Sequence, residues 1–214
     1  LNIANKLTLL RIILIPCFVA VLQIQNITAE PSKLLLAHLS ALIIFVIAAL
    51  TDLLDGYYAR RYSLVTNFGK LMDPLADKLL TMSAFVSFVE MRLDNGQPIF
   101  PAWATIVILG REFLVTGLRA LALERARVIQ ADSLGKHKTI WQLIGISTIL
   151  ACLGIRDAIA LYIPPSLPTC DTVLRVVFAV VLVVVLALTL ASGVQYMWKN
   201  RDLLAESHGH GSSR

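Results

Sequence analysis

Four aspartates within 26 residues are the first feature of this chain that could do chemistry. Asp52 precedes Asp55 by three positions and Asp73 precedes Asp77 by four, so each pair shares a helix face. Gly56, Ala59, Arg60, Thr66 and Gly69 lie between the pairs. An unpaired carboxylate deep in an apolar helix costs about 2.5–3.5 kcal/mol, and clustered carboxylates repel, so a cation must sit among them. All-oxygen ligation without His or Cys suits a hard ion such as Mg²⁺ or Mn²⁺. Four carboxylates suffice for two ions, and a metal pair is a device for displacement at phosphorus. Gly56 and Ala59 leave room for a ligand near the backbone. Arg60 can form charge-assisted hydrogen bonds to a phosphate, and Thr66 offers a hydroxyl nearby. Asp73-Pro74 has the form of a helix N-cap followed by Pro at the first helical position, although the helix could also begin earlier. Taken alone, an Asp here could cap a helix and Arg60-Arg61 could anchor a membrane edge; the combination points to a site.

A second set is basic. Arg111 and Arg119 lie eight residues apart, about two helical turns, and so fall on nearly one face with Glu112 beside the first. Gly135-Lys136-His137-Lys138-Thr139 follows downstream. Cations within apolar segments read as functional when they can face a polar cavity. Arg119, Lys136 and Lys138 converging beside the aspartates would suit an acceptor that carries its own phosphate, with Glu112 orienting an arginine. The bland alternative is loop charge at Lys136 and Lys138 and a snorkelling Arg119. His137 reads as a solvated loop residue.

The elements that would position these groups are membrane helices. The chain has 214 residues, 57% hydrophobic and 15% charged, with mean hydropathy +0.74. A soluble domain carries about 25% charge, so the pattern points to an all-α polytopic membrane protein. Six apolar segments of spanning length run roughly over 7–24, 34–58, 71–91, 102–123, 139–163 and 173–198. Lys6, Arg11, Arg60, Arg61, Lys70, Arg125, Arg127, Lys136, Lys138, Lys199 and Arg201 fall on one set of alternate loops, against Lys33, Arg92 and Arg156 on the other. That asymmetry predicts both termini in the cytoplasm. Residues 27–31 make a poor cleavage site, so the first segment reads as a retained helix. A single domain is expected over 1–204, with a polar, disordered tail over 205–214 in which His208 and His210 are solvated. Cys17, Cys152 and Cys170 show no disulfide or zinc pattern. The net charge of +5 fits anionic lipid, and no nucleic-acid motif is present.

The string Asp52-x2-Asp55-Gly56-x2-Ala59-Arg60-x8-Gly69-x3-Asp73-x3-Asp77 resembles the signature of the CDP-alcohol phosphotransferases at all its fixed positions. The resemblance implies a six-helix fold over residues 2–200 and metal held by Asp52, Asp55 and Asp73. Asp77 would join the metal site and act as base on the acceptor hydroxyl. Gly56, Arg60 and Thr66 would contact CDP-diacylglycerol, together with Ala59 and Gly69. The opening Asn2-Ile3-Ala4-Asn5-Lys6-Leu7-Thr8-Leu9-Leu10-Arg11 resembles the family's N-x-P-N-x-L-T-x-x-R, with Ala4 in place of Pro; it implies that Asn5 and Thr8 line the nucleotide site. Arg111-Glu112-Phe113, Gly117-Leu118-Arg119, Gly135-Lys136-x-Lys138-Thr139 and Gln142 resemble the phosphatidylglycerophosphate synthase branch. That branch implies glycerol 3-phosphate as acceptor, its phosphate held by Arg111, Arg119, Lys136 and Lys138; phosphatidylglycerol, inositol phosphate or serine are the alternatives. A homodimer is implied by the resemblance alone. An aspartate-rich prenyltransferase would lack the Gly56/Ala59/Arg60/Gly69 spacing, and an ion transporter would leave the gathered cations unexplained.

Overall fold

The computed structural model describes residues 3–62, 67–92, 96–124 and 133–201; within them, the side chains of 3–5, 53–62, 67–71, 73–74, 123–124, 133–134 and 136 lie outside the description. Six helices follow one another: α1 (Ile3–Leu22), α2 (Pro31–Tyr62), α3 (Asn67–Glu90), α4 (Ala102–Glu124), α5 (Ser133–Tyr162) and α6 (Leu167–Lys199). The expectation of six helices holds, with ends displaced by a few residues. Short 3-10 turns at Gln23–Asn26 and Pro164–Ser166 close two of the connections.

Among the described residues, four stretches are long and apolar enough to cross a bilayer: Lys6–Asn26, Pro31–Asp52, His137–Tyr162 and Pro164–Lys199. Helices α3 and α4 fall outside that set because they carry Asp73, Asp77 and Lys78, and Arg111, Glu112 and Arg119, in their midst. The apolar stretch of α2 stops at Asp52 while the helix runs on to Tyr62. Asp52 therefore sits where the helix leaves its apolar stretch.

Helix α3 differs from one of the two readings of its start. It begins at Asn67, so Asp73-Pro74 is inside the helix and does not cap it. A proline in a helix interior forfeits one hydrogen bond, a loss that the apolar burial further along α3 offsets. His137 likewise belongs to a helix, α5, on its exposed side, and not to a loop.

The core explains the packing order. Phe18 on α1 meets Phe45 on α2 at 5.7 Å between ring centroids, and Phe85 on α3 meets Phe100 at 5.0 Å. Ala41 and Ala48 flank Phe45 and are fully buried, letting α2 approach its neighbours α1 and α5 closely. A Cβ on Gly145 would lie 2.9 Å from Val181 Cγ1, so the α5–α6 crossing has no room for a side chain there. Between α3 and α4, Gly96 adopts φ 76° and turns the chain back, so that Ile99 N–H donates to the Met91 carbonyl at 2.9 Å. That turn delivers Phe100 into the core.

The outer surface is apolar. Val173, Val176, Val180, Val183, Leu190 and Val194 are exposed along α6, and Leu75, Leu79 and Val86 along α3. Trp103, Ile106, Phe113 and Leu114 do the same on α4. Water would not tolerate such continuous apolar faces; lipid does. The chain is a membrane protein.

Candidate active site

Alternation of helix direction brings the starts of α1, α3 and α5 to the same end of the bundle as the final turns of α2, α4 and α6. Several ionisable side chains of the helices gather there. Asp52 pairs with Arg11 of α1, Oδ1 to Nη1 2.7 Å. Arg11 is wholly buried and its Nε also donates to the Ala48 carbonyl at 3.3 Å. An arginine so placed holds α1 against α2 and supplies a positive charge to the carboxylates. In the sequence it counted only among the basic residues near one end of the spans and in the opening motif. Thr8, buried one turn earlier on α1, lies on the same side.

Asp77, half-buried on α3, lies within electrostatic reach of Asp52, Arg11, Lys138 and Lys78. Of the four aspartates on α2 and α3, Asp52 and Asp77 are the two whose side chains are described, and each senses the other's charge. Asp55 and Asp73 are one helical turn from Asp52 and Asp77 on continuous helices, and their side chains lie outside the described residues. The same holds for Asn5, Gly56, Ala59, Arg60, Gly69 and Lys136, whereas Thr66 falls wholly outside. Among the described residues, no three His, Cys, Asp or Glu side chains form a metal cluster. The donor chemistry at this end still fits a hard divalent ion: carboxylates from two helices sense each other's charge, with the buried Arg11 cation already between α1 and Asp52.

The basic set is tied together by one acid. Glu112 on α4 accepts a hydrogen-bonded ion pair from Lys138 Nζ and a second contact from Arg111 Nη1 at 3.3 Å. Lys138 is buried, contrary to a reading as loop charge. Arg111 Nη2 reaches across to Ser192 Oγ of α6 at 3.1 Å. Gly193 permits this: a Cβ there would lie 3.1 Å from Arg111 Cγ. Arg119 is exposed, and its guanidinium lies 5.6 Å from the centre of the Tyr196 ring.

Lys78 was not singled out from the sequence, although it directly follows Asp77 in an otherwise apolar run. Its Nζ donates to Thr116 Oγ1 on α4, and it lies within electrostatic reach of Arg119, Asp77 and Arg111. Lys78, Arg111, Arg119 and Lys138 thus form a chain of mutually sensed cations, two of which, Lys78 and Lys138, also sense Asp77, with Glu112 an acid bound to Lys138 and Arg111 among the described residues. Cations gathered in this way can form charge-assisted hydrogen bonds to a phosphate. Ser192 and Tyr196, the α6 contribution, carried no sequence signal beyond small and aromatic residues near a helix end.

Comparison with known proteins gives the family. Residues 1–191 match the CDP-alcohol phosphatidyltransferase family. The CDP-diacylglycerol–glycerol-3-phosphate 3-phosphatidyltransferase of Bacillus subtilis (strain 168) is 39% identical over 211 residues, covering 97% of this chain and 99% of that protein. A protein of the same name from Rickettsia typhi (strain ATCC VR-144 / Wilmington) is 37% identical over 196 residues, covering 91% and 94%. With the carboxylates and cations gathered at one end of a lipid-embedded helical bundle, and similarity running through nearly the whole sequence, the chain belongs to the CDP-alcohol phosphatidyltransferase family of membrane transferases.

Proposed function

We propose that this chain transfers the phosphatidyl group of CDP-diacylglycerol to the primary hydroxyl of sn-glycerol 3-phosphate, releasing phosphatidylglycerol phosphate and CMP. The observation that carries the reading is the cation cluster of Lys78, Arg111, Arg119 and Lys138 beside Asp77. An acceptor bearing its own phosphate is held by such a cluster with its hydroxyl towards the carboxylate. Serine or inositol would leave the cations unmatched. The names of the Bacillus and Rickettsia relatives point to the same acceptor.

In this account Asp77 takes the proton from the acceptor hydroxyl. The freed oxygen forms a bond to the phosphorus that bears diacylglycerol, and the bond from that phosphorus to the CMP oxygen breaks. Arg119 and Lys138, with Lys136 and Arg111, hold the acceptor phosphate; Glu112 keeps Lys138 and Arg111 in place. Asn5, Thr8, Gly56, Ala59, Arg60, Thr66 and Gly69 form the side that receives CDP-diacylglycerol, where Arg60 offsets pyrophosphate charge. Asp52, Asp55, Asp73 and Asp77 would hold divalent metal, Mg²⁺ or Mn²⁺ and two ions by carboxylate count, which when bound stabilises charge on the transferring and leaving groups. Arg11 orients Asp52 for that role.

The same reading gives all six helices a transmembrane course. The exposed apolar residues of α3 and α4 support it, since their charged residues turn towards the other helices. Both termini and the site then face the cytoplasm, as the basic loops require. One membrane domain over 1–204, a solvated tail beyond it and a homodimeric assembly complete the proposal.

Asp77→Asn tests the assignment. It removes the base with little change of shape, so turnover should fall to background while CDP-diacylglycerol still binds. Turnover within a few-fold of the parent would overturn the role of Asp77.

A further inference from the structure

On the lipid-facing side of the bundle, α2 and α5 leave a groove of about 450 Å³ between them, within the range of pockets that hold small ligands. Its large lining side chains Val46, Leu50 and Ile144 are exposed, while the small ones, Ala49, Ser147 and Ala151, are half-buried and give it depth. One end is closed. A Cβ on Gly154 of α5 would lie 3.1 Å from Leu39 Cδ2 of α2, so the helices touch there. That contact sets the antiparallel register: Leu42 lies at the level of Ala151, and Leu50 at the level of Leu143. Between those levels the groove extends about 12 Å, eight residues at about 1.5 Å each. Its open end reaches the level of Asp52, two residues beyond Leu50.

Helix register joins the groove to the catalytic end. Helix α2 is continuous to Tyr62, so positions 42, 46, 49, 53 and 60 form one stripe and positions 52 and 55 another. Gly56 falls between the two stripes by position. A ligand lying along the first stripe thus meets a residue without a side chain where it must turn towards Asp52. Position 60, an arginine, continues the same stripe where α2 has left its apolar stretch. On α5 the groove's wall continues to exposed Ile140, whereas Lys138 is buried on the opposite face against Glu112. Helix α5 therefore separates the groove from the acceptor cations. Apolar length first and basic charge beyond the open end match hydrocarbon, glycerol and phosphate in that order. Another helix, about 10–12 Å across, is too wide to enter between two helices that touch.

We infer that the α2–α5 groove seats one acyl chain of the CDP-diacylglycerol donor, entering at the level of Asp52 and ending near Ala151. The inference rests on the proposed reaction and adds a subsite to it. Surrounding lipid tails are as apolar as the groove, so the gain in affinity is small. What the groove supplies is orientation. A chain held along α2 fixes where its glycerol leaves, and with it the position of the phosphorus that the acceptor oxygen attacks.

The test measures CMP release by the full chain in detergent, with CDP-dipalmitoylglycerol and CDP-dioctanoylglycerol as donors. Ala151→Leu fills the end remote from Asp52. It should lower kcat/KM about tenfold for the dipalmitoyl donor and only about twofold for the dioctanoyl donor, whose chains end nearer Asp52. Val183→Leu, on the exposed face of α6, should change neither. Equal losses for both donors, or none, would overturn the inference. If Ala151→Leu folds poorly, the unmodified chain carries the test, labelled by CDP-diacylglycerol with a diazirine at the end of one acyl chain. Label on Leu42, Val46 or Ala151 that unlabelled CDP-diacylglycerol competes away agrees with the inference. An unlabelled groove, as cover by a second copy would give, contradicts it, as does label that phosphatidylglycerol competes away equally well. Labelling needs the donor alone. A labelled groove without release dependent on glycerol 3-phosphate sinks the proposed acceptor and not the groove, and release with an unlabelled groove does the reverse.

Discussion

Replacing Glu112 by Gln perturbs the one acid among the described residues that binds two of the clustered cations. Side-chain exposure is 3% for Lys138, 14% for Glu112 and 13% for Arg111, so bulk water screens little of their interaction. Gln keeps an acceptor oxygen and the shape but removes the charge. Lys138 and Arg111 are then stranded near each other and near Lys78. Removing one partner of a buried pair costs about 3–5 kcal/mol, and the retained hydrogen bond returns part of that, so about 3 kcal/mol of destabilisation is expected. Lys138→Met in the same chain removes the stranded charge. The double variant should be more stable than the sum of the singles by about 1.5 kcal/mol or more. Unfolding in mixed detergent–SDS micelles, followed by the fluorescence of Trp103, Trp141 and Trp198, measures both quantities. A Glu112→Gln chain within about 0.5 kcal/mol of the parent, with additive singles, would refute the idea that Glu112 holds this cluster together.

Other consequences are direct. Arg119→Ala or Lys136→Ala should raise the KM for glycerol 3-phosphate about tenfold and change that for CDP-diacylglycerol much less, as the loss of one charge-assisted bond to the acceptor requires; equal effects would remove the acceptor-phosphate pocket. Gly145→Ala forces a Cβ to 2.9 Å from the branched Val181 and should destabilise the chain by about 1 kcal/mol after the gain in helix propensity. Gly110→Ala, with nothing within 4 Å of its added Cβ, should be neutral or stabilising in the same unfolding assay.

Helix number was legible in the sequence because long apolar runs are detected by local reading, even where charged residues interrupt them as in α3 and α4. The aspartates stood out in the sequence because carboxylates in such runs have few uses other than holding cations. Neighbours across helices were not. His38 pairs with a residue 119 positions away and Lys78 with one 38 positions away, and periodicity within a helix says nothing of which helix it meets. Arg11 counted in the sequence only among the basic residues near one end of the spans and in the opening motif; the α1–α2 packing reveals it as the partner of Asp52. Asp73-Pro74 misled for the opposite reason. The local cap signature is real, but α3 had already begun at Asn67, and burial further along the helix outweighs the lost backbone bond. His38 and Asp157 lay in segments read only for their apolar length, where one polar residue in a span carries no indication of its partner.

The central claim is tested most directly by CMP release from CDP-diacylglycerol, using the purified chain in detergent with glycerol 3-phosphate, serine, inositol phosphate and phosphatidylglycerol as separate acceptors. The account predicts release with glycerol 3-phosphate well above the others, formation of phosphatidylglycerol phosphate, loss of activity on adding EDTA and recovery on adding Mg²⁺ or Mn²⁺. Release that persists in EDTA, or that is as fast with serine as with glycerol 3-phosphate, would contradict it.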